Sequence, residues 1–368
     1  MKIYRKTNLF FCKKVGFLLL FFLNEEEENM SQITEEKKDA YLYGWADPDA
    51  IRAYRRRYKS AEKKEKLVTL KQAIEQGVKP GDYIVFGGMG SVRTPMAAVY
   101  EIIRQGIGNL TVGAKGSQHD WNLLTAAGLI SRAEVAYGFG DEIRGLSRPA
   151  RTAVENGRLS VISETTNAAF QWRFTAAMKG LSFYPTRTAI GTDTLHYSGS
   201  KQIQDPFTGK PIELIPACYP DVVILHVQRA DKYGNCQIDG NMTEDFELAH
   251  AAKRVIITTE KIIPEEEINR RPDATKIPYF VVDAVVEVPY GSHPNQVPYL
   301  YSFDEQHWQE WLDASLTDEG VEEYLNQYIF GTEDHYEYLE KIGGLRILRQ
   351  LEHIENGIEN YPKVAKRR

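Results

Sequence analysis

Short runs of apolar residues alternate with amphipathic stretches over most of the chain after residue 66. The runs are rich in β-branched and aromatic residues and are bounded by glycine or proline, which is typical of strands buried in a sheet. The stretches between them carry apolar residues at helical spacing, and several close at a glycine. This alternation predicts an α/β fold in which helices flank a mainly parallel sheet.

The two patterns predict the positions of the elements. Residues 222–227 form a β-branched run that is apolar on both faces, which predicts a central strand. Further strands are expected at 82–86, 110–113, 133–137, 159–162, 183–186 and 254–259. Helices are expected at 67–77, 95–105, 121–127, 167–179 and 248–252. Proline-rich and glycine-rich segments, which predict excursions from the core, lie at 195–216 and 264–300.

The chain from residue 303 onward is helical in pattern and rich in aromatic residues. A stripe of this kind is more typical of packing or of a subunit interface than of a cofactor site. The tail after Asn356 is polar, which predicts a frayed end. The aromatic residues of the stripe are Trp308, Trp311, Tyr324, Tyr328, Tyr336 and Tyr338.

The N-terminal region differs from the rest of the chain in its pattern of apolar and charged residues. Residues 15–23 are apolar and follow several basic residues, but the run is too short to span a bilayer and no small-residue cleavage pattern follows it. Four glutamates at 25–28 precede Met30, and repeated GAG codons resemble a ribosome-binding sequence. We therefore expect translation to start at Met30, with residues 1–29 as a translated leader. The expected units after the leader are a charged arm (30–66), an α/β domain (67–300) and a helical C-terminal extension (301–368).

The amino-acid composition of the chain excludes several classes of function. Apolar residues make up 42 % of the 368 residues, which is enough to bury a sizeable core. The net charge of -6, with both signs scattered, argues against a nucleic-acid-binding face. Cys12, Cys218 and Cys236 lack the spacing of a zinc site or a disulfide framework, which is typical of the reducing cytoplasm. The histidines share no metal-ligand spacing, so no metal site is predicted.

A glycine cluster between a predicted strand and helix is the first candidate for chemistry. Glycines allow a tight turn and a close approach of the backbone to a ligand, and helix N-terminal amides hold anions. Arg93 can add a bidentate contact to a carboxylate or phosphate. The alternative is a plain β–α turn with an exposed arginine. The segment matches neither GxxxxGK[ST] nor GxGxxG. The candidate ligand-binding residues here are Gly87, Gly88, Gly90, Ser91 and Arg93.

Two further stretches carry candidate side chains. Glu164 follows a predicted strand, where it is a candidate nucleophile or base at the carboxyl edge of a parallel sheet. The alternative is a surface residue beside a helix cap. Arg187 is a second candidate for an anionic substrate, although a lone arginine is more often a surface or ion-pair residue. His226 lies within an apolar run and is expected to be a satisfied core histidine. No GxSxG motif or local triad appears.

Several of these stretches, in this order, resemble the α subunit of the class I CoA-transferases, above all that of glutaconate CoA-transferase. The resemblance covers roughly residues 67–350. It implies a CoA-transferase-like fold, similar to that of ribose-phosphate isomerases, with a helical C-terminal extension. The segments that carry it are Gly87-Gly88 with Arg93 and Pro95, then 97–107, 221–228, 263–268, 282–286, 289–294, 334–339 and 345–346.

The resemblance implies a mechanism. In that family a glutamate attacks an acyl-CoA, forms a mixed anhydride and then a glutamyl-CoA thioester, and the incoming carboxylic acid reverses the steps. The glutamate belongs to a β-type partner subunit, in a Ser-Glu-Asn-Gly-like motif. Here only Ser163-Glu164-Thr165-Thr166 and Glu155-Asn156-Gly157 match it in part. No nucleophile is therefore expected in this chain, and Glu164 remains the weaker candidate.

The implied role of this chain is to form pocket walls from 87–93, 164–171 and 187–193, which include Asn167 and Gln171. Coenzyme A is then a substrate, not a permanently bound cofactor. The partners are the β-type subunit, an acyl-CoA such as acetyl-CoA, and a carboxylic acid, with neither nucleic acid nor membrane expected. Residues 89–92 and 164–193 depart from the glutaconate pattern, so the acid remains open: glutaconate, another dicarboxylate, a hydroxyacid or an aromatic acid.

Two alternatives remain. Relatives of the family hydrolyse C–C bonds in CoA-linked cyclic diketones with a glutamate on the α-type chain, and Glu164 is the residue placed for that reaction. The other alternative is a non-catalytic assembly subunit that works through its aromatic C-terminal face.

Overall fold

A computed structural model of the chain describes residues 44–116 and 118–367. The expected leader at 1–29 and its apolar run at 15–23 lie outside these residues. The described arm is helical over α1 (Pro48–Tyr58), which begins at the Asp47 cap and buries Ile51. Arg55 donates to the carbonyl oxygen of Ala251 at 3.0 Å, and Lys59 donates to that of Val281 at 2.6 Å, so the arm contacts the α/β body.

Parallel strands form the central sheet in the order β4–β3–β2–β1–β8–β10–β12, and β9 and β11 extend it with antiparallel pairing. A second, antiparallel sheet has the order β5–β7–β6. The strands are β1 (Tyr83–Phe86), β2 (Leu110–Lys115), β3 (Ile130–Tyr137), β4 (Ser160–Glu164), β5 (Phe183–Thr186), β6 (Lys201–Gln204), β7 (Pro211–Pro216), β8 (Val222–Ala230), β9 (Cys236–Gln237), β10 (Arg254–Ile262), β11 (Thr275–Ile277) and β12 (Ala284–Glu287).

Helices cover both faces of the central sheet. After α1 they are α2 (Leu70–Gly77), α3 (Met96–Arg104), α4 (His119–Ala126), α5 (Arg148–Glu155), α6 (Asn167–Met178), α7 (Thr194–Tyr197), α8 (Asp245–Ala251), α9 (Glu265–Arg270), α10 (Glu305–Ala314), α11 (Asp318–Leu325), α12 (His335–Lys341) and α13 (Gly344–Glu355). A π-helical turn follows α11 at Asn326–Phe330.

Alternate residues of β1 belong to two different cores. Ile84 and Phe86 pack with α2 to α5 and the C-terminal helices, whereas Tyr83 and Val85 pack with α1, α6 and α8. A strand that is buried on both faces has no polar side to alternate with, which explains the continuous apolar runs of the sequence. The prediction of a mainly parallel sheet flanked by helices is confirmed.

Two features differ from the expectations, and a third agrees with one of them. The strand expected at 183–186 forms, but it belongs to the second sheet because it pairs with a neighbouring hairpin. The C-terminal aromatic residues are mostly buried within the chain, which agrees with the expected packing role, and Tyr336 is exposed. The expectation of a frayed tail after Asn356 is wrong. Ala365 is buried in the core that contains Ile84 and Phe86, and it donates its backbone N–H to Glu305 at 2.9 Å.

Candidate functional site

The carboxyl ends of β1, β2, β3 and β4 meet at one edge of the sheet, where ligands of open α/β folds usually bind. A Cβ built on Gly116, after β2, would lie 3.3 Å from Cγ of Met89, after β1. A Cβ on Gly90 would overlap the carboxylate of Glu142, which follows β3. The loops after β2 and β3 therefore converge on the loop after β1, which we call the glycine loop and define as residues 87–91.

The glycine loop is a tight turn with no room for side chains at its glycines. Gly88 and Gly90 have φ values of 77° and 62°, in the left-handed region that favours glycine. The backbones of Met89 and Val92 exchange hydrogen bonds of 3.2 and 3.1 Å. A Cβ on Gly87 would overlap Leu225, so the loop lies directly against β8.

Arg93 lies beneath this loop with no exposed surface. Its guanidinium pairs with the buried carboxylate of Asp245, and it donates to the carbonyl oxygens of His226 at 3.2 Å and Asn241 at 2.8 Å. Asp245 also accepts from the amide of Gly88 at 2.8 Å. Arg93 thus holds the loop against the core. The alternative of an exposed arginine is wrong, and a substrate contact by Arg93 stays a prediction that this burial does not favour.

Ser91 is buried at the end of the loop, with its hydroxyl 3.5 Å from Oε2 of Glu142. The same carboxylate lies 3.7 Å from Nη1 of Arg144. The hydroxyl of Thr94 donates to the carbonyl oxygen of Gly90 at 3.0 Å. Ser91 therefore links the glycine loop to the loop after β3.

Glu164 is the last residue of β4 and is exposed beside Val135 of β3. Thr166 caps α6, since its hydroxyl accepts the amide N–H of Ala169 at 3.2 Å. Because the cap belongs to Thr166, Glu164 has no capping role. Asn167 is exposed on the first turn of α6, and Gln171 is half-buried one turn later. Glu164 and Asn167 thus stand at the carboxyl edge.

Arg187 is exposed just after β5, away from the glycine loop in the chain. Hydrogen bonds from the Phe207 amide and from Thr208, together with the charge of Arg187, lower the pKa of Asp205. The segment that follows Arg187 leads into α7, which packs against β4. No described contact joins Arg187 to the glycine loop, so its role at the site stays a prediction.

The loops after β2 and β3 carry buried polar residues that were not among the predicted site residues. Gln118 is buried with its side-chain oxygen unpaired. Asp141 is fully buried, accepts from Nδ2 of Asn122 at 2.7 Å, and burial raises its pKa to about 6. The signal that marks these loops was present, because Gly116, Gly138 and Gly140 lie within three residues of the ends of predicted strands.

Exposed apolar side chains surround this edge. They come from the glycine loop, the end of β3 and the loop after it, and we call them the apolar rim. A cluster of this kind on a surface is typical of a protein interface. The rim consists of Met89, Tyr137, Ile143 and Leu146.

His226 is buried between Oγ1 of Thr258 at 2.9 Å and Oε1 of Glu260 at 2.7 Å, which confirms the expected core histidine. A cavity of about 750 Å³ lies beside β12, the strand at the opposite end of the sheet from β4, and contains none of the candidate residues.

In residues 44–116 and 118–367, no group of three or more His, Cys, Asp or Glu side chains is arranged to hold a metal ion. The helices in that part of the chain are too short or too polar to cross a bilayer.

The family model for coenzyme A transferase matches residues 67–288, more than half of the chain. The chain belongs to the coenzyme A transferase family. It is 34 % identical to the A subunit of glutaconate CoA-transferase from Acidaminococcus fermentans, over 77 % of this chain and 93 % of that protein. The crystal structure of that enzyme matches with a TM-score of 0.75 and 32 % identity, over 82 % of this chain and 98 % of the other. The resemblance found in the sequence is confirmed.

Two further known proteins are similar to the chain. The A subunit of 3-oxoadipate CoA-transferase from Pseudomonas knackmussii is 33 % identical, over 75 % of this chain and 98 % of that protein. The cholesterol ring-cleaving hydrolase IpdA subunit of Rhodococcus jostii is 29 % identical, over 75 % of this chain and 95 % of that protein. Family membership indicates transferase activity with CoA as a substrate.

Proposed function

We propose that the chain is the α-type subunit of a two-subunit CoA-transferase, active only with a β-type partner. The observation that carries the proposal is the convergence of three strand-end loops at a carboxyl edge surrounded by the apolar rim. An open edge with exposed apolar side chains suits a pocket that a second subunit completes. The two transferase relatives described above are themselves one of two kinds of subunit, which supports the same interpretation.

In the proposed reaction a glutamate carboxylate of the partner attacks the acyl-CoA thioester. The C–S bond breaks, CoA leaves as thiolate, and an acyl-glutamyl anhydride remains. The thiolate then attacks the glutamyl carbonyl, releases the first acid and leaves a glutamyl-CoA thioester. The incoming carboxylic acid reverses both steps, so that CoA is carried from one acid to the other without an external oxidant or reductant.

This chain contributes the walls of the pocket in the proposed complex. The backbone amides of the glycine loop are candidates to hold the developing oxyanion, and Ser91 and Gln118 add polar groups beside them. Asn167, Gln171 and Arg187 are the candidates for contacts with the free acid, which we propose to be glutaconate, another dicarboxylate or a hydroxyacid. The acyl donor is an acyl-CoA such as acetyl-CoA, and CoA is not permanently bound.

Co-expression with a β-type protein that carries a Ser-Glu-Asn-Gly motif tests the proposal. We expect a complex on gel filtration, transfer of CoA from acetyl-CoA to one of the acids, and a CoA adduct that mass spectrometry locates on the partner's glutamate. The control is the same complex with that glutamate changed to glutamine, which should assemble without transfer. Failure to form a complex, or assembly without transfer to any acid, would contradict the proposal.

A second candidate function is C–C hydrolysis of a CoA-linked cyclic substrate with Glu164 as the acting carboxylate. Its exposed position at the end of β4 and the similarity to the ring-cleaving hydrolase subunit favour it. The Glu164→Ala variant discriminates the two. It should abolish hydrolysis, whereas it should reduce CoA transfer only several-fold because the transferase nucleophile is on the partner.

The burial of the aromatic C-terminal residues argues against an assembly role for that face. Five of its six aromatic side chains are buried within the chain and are not available to a partner. Tight binding of CoA to the chain alone would argue further against such a role.

A further inference from the structure

The last described residues of the chain lie across α10 and the turn at 141–145. We call residues 361–367 the C-terminal strap. Lys366 and the side chain of Gln309 on α10 exchange two hydrogen bonds of 3.1 Å. The amide N–H of Arg367 donates to the carbonyl oxygen of Arg144 at 3.2 Å. The strap therefore joins a helix of the extension to a loop of the candidate site.

Glu305, at the start of α10, is the centre of these contacts. Its carboxylate accepts from Nε and Nη2 of Arg144 at 3.1 and 2.5 Å. It also accepts the Tyr361 hydroxyl at 2.8 Å and the Ala365 amide at 2.9 Å. Both members of the ion pair are almost fully buried, so they require these donors and acceptors to offset the loss of hydration. Half of the donors to Glu305 come from the strap.

Arg144 is held in one position by this pairing. Its guanidinium also lies over the ring of Trp308, 4.4 Å from the centroid. Nη1 then lies 3.7 Å from Oε2 of Glu142, whose carboxylate fills the space that a side chain at Gly90 would need. The hydroxyl of Ser91 lies 3.5 Å from the same carboxylate. A continuous series of contacts therefore joins the strap, through Glu305, Arg144 and Glu142, to the glycine loop.

A second connection runs through Arg367. Its guanidinium donates to the Ser315 hydroxyl at 3.0 Å and lies 3.5 Å from Oδ2 of the buried Asp141. Asp141 in turn closes the turn, since its amide donates to the carbonyl oxygen of Gly145 at 2.7 Å. Both ends of the 141–145 turn are therefore connected to the strap.

We propose that the C-terminal strap positions the glycine loop by fixing the 141–145 turn, and that Glu142 is the positioning residue that transmits this constraint. Glu142 acts through the contacts of its carboxylate with Gly90 and Ser91, not by touching substrate. The proposal rests on the glycine loop belonging to the substrate site of the proposed transferase.

Hydrogen exchange of the isolated chain tests the constraint without any assay of activity. A chain that ends at Lys363 lacks the Ala365 and Arg367 contacts, and a chain that ends at Arg367 is its matched control. We expect amides 88–92 and 141–145 to exchange at least tenfold faster in the shorter chain, with β8 unchanged as a measure of global folding. Unchanged exchange at 88–92 would overturn the proposal.

Two single substitutions cover the case in which the shorter chain does not fold. Arg367→Ala removes the contacts with Asp141 and Ser315, and Glu142→Gln removes the charge beside Arg144 while keeping the shape. Each should accelerate exchange at 88–92 several-fold. Exchange that increases only within 361–367 would also contradict the proposal.

Kinetics of the assembled complex give a second readout. We expect the chain that ends at Lys363 to lower kcat about tenfold with the KM for acyl-CoA changed less than twofold, because a loop that supports the transition state is loosened while binding contacts remain. Equal kcat in the shorter and control complexes would overturn the proposal. If the unshortened complex shows no transfer, the proposed function fails, and hydrogen exchange alone still decides the role of the strap.

Discussion

Gly90 is a residue of the glycine loop whose Cβ position is occupied by the carboxylate of another loop. It has φ of 62° and faces the Glu142 carboxylate with no room for a Cβ. Gly106 is a matched control, because its φ is 64° and no atom lies near its Cβ position. Left-handed backbone costs an alanine about 1 kcal/mol at either position. The displacement of Glu142 and the loop is specific to Gly90.

We therefore expect Gly90→Ala to lower kcat/KM of the complex at least tenfold, and Gly106→Ala to leave it within twofold. Steady-state transfer assays of both variants, with unfolding by urea as the measure of stability, check this. Equal kinetic losses in the two variants would mean that backbone strain alone, not the Glu142 contact, explains the effect.

Asp141 is the site residue whose charge state should depend on pH in the accessible range. Burial raises its pKa from 3.8 to about 6, with Asn122, Arg367 and Arg144 favouring the charged form and Glu142 opposing it. A raised pKa means that the folded state binds the proton more tightly than the unfolded state. The corresponding stability is complete below about pH 4 and is lost as the pH rises through about 6.

Asparagine at position 141 does not ionise, so the folded state does not have to bury a charge there as the pH rises. We expect Asp141→Asn to be more stable than the natural chain at pH 8 by roughly 2–3 kcal/mol, at about 1.4 kcal/mol per pKa unit, with the difference vanishing near pH 4. Urea unfolding of both chains between pH 4 and 8 measures it. A difference that does not vary with pH would show that hydrogen bonding, not ionisation, dominates at Asp141.

At the scale of elements, the start of α6 separates a structural residue from a candidate functional one. Thr166 accepts the Ala169 amide and caps the helix, whereas Glu164 is exposed at the end of β4. We expect Thr166→Ala to cost about 1 kcal/mol in the free energy of unfolding. Glu164→Gln should change it by less than about 0.5 kcal/mol. Chemical unfolding of both variants checks the pair, and a large loss in Glu164→Gln would indicate a structural role for that carboxylate.

The elements themselves were largely predictable. Helix α3 and strand β8 lie within one to three residues of their predicted ends, because periodicity and bounding glycines are properties of neighbouring residues. Assignment of β5 to a separate antiparallel sheet was not predictable. Its β7 partner lies beyond a long connection, and nothing in the local pattern of 183–186 distinguishes the two sheets.

At the scale of the whole molecule, the apolar rim is the surface that the proposed partner would cover. Ile143 is 71 % exposed on the rim, and Leu345 on α13, which is not part of the rim, is 72 % exposed. A charge at an interface costs desolvation that it does not cost in water. We expect Ile143→Glu to weaken assembly with the β-type subunit at least tenfold, and Leu345→Glu to leave it unchanged.

Titration of each variant with the partner, by calorimetry or analytical gel filtration, measures this difference. Both substitutions should leave the stability of the isolated chain within about 0.5 kcal/mol, because both side chains face solvent. Weakening by Leu345→Glu alone would move the interface from the carboxyl edge to the C-terminal helices.

The sequence by itself determined the strands and helices, the parallel sheet, and the glycine turn after β1, because each depends on residues close together in the chain. Tertiary structure decided which side chains meet. Arg93 was a candidate for a ligand contact, and the structure pairs it with Asp245, more than a hundred residues later, while the strap contacts Glu305 and also Arg144, more than two hundred residues earlier. Such contacts depend on how distant elements pack, and no local pattern of apolar and polar residues specifies them.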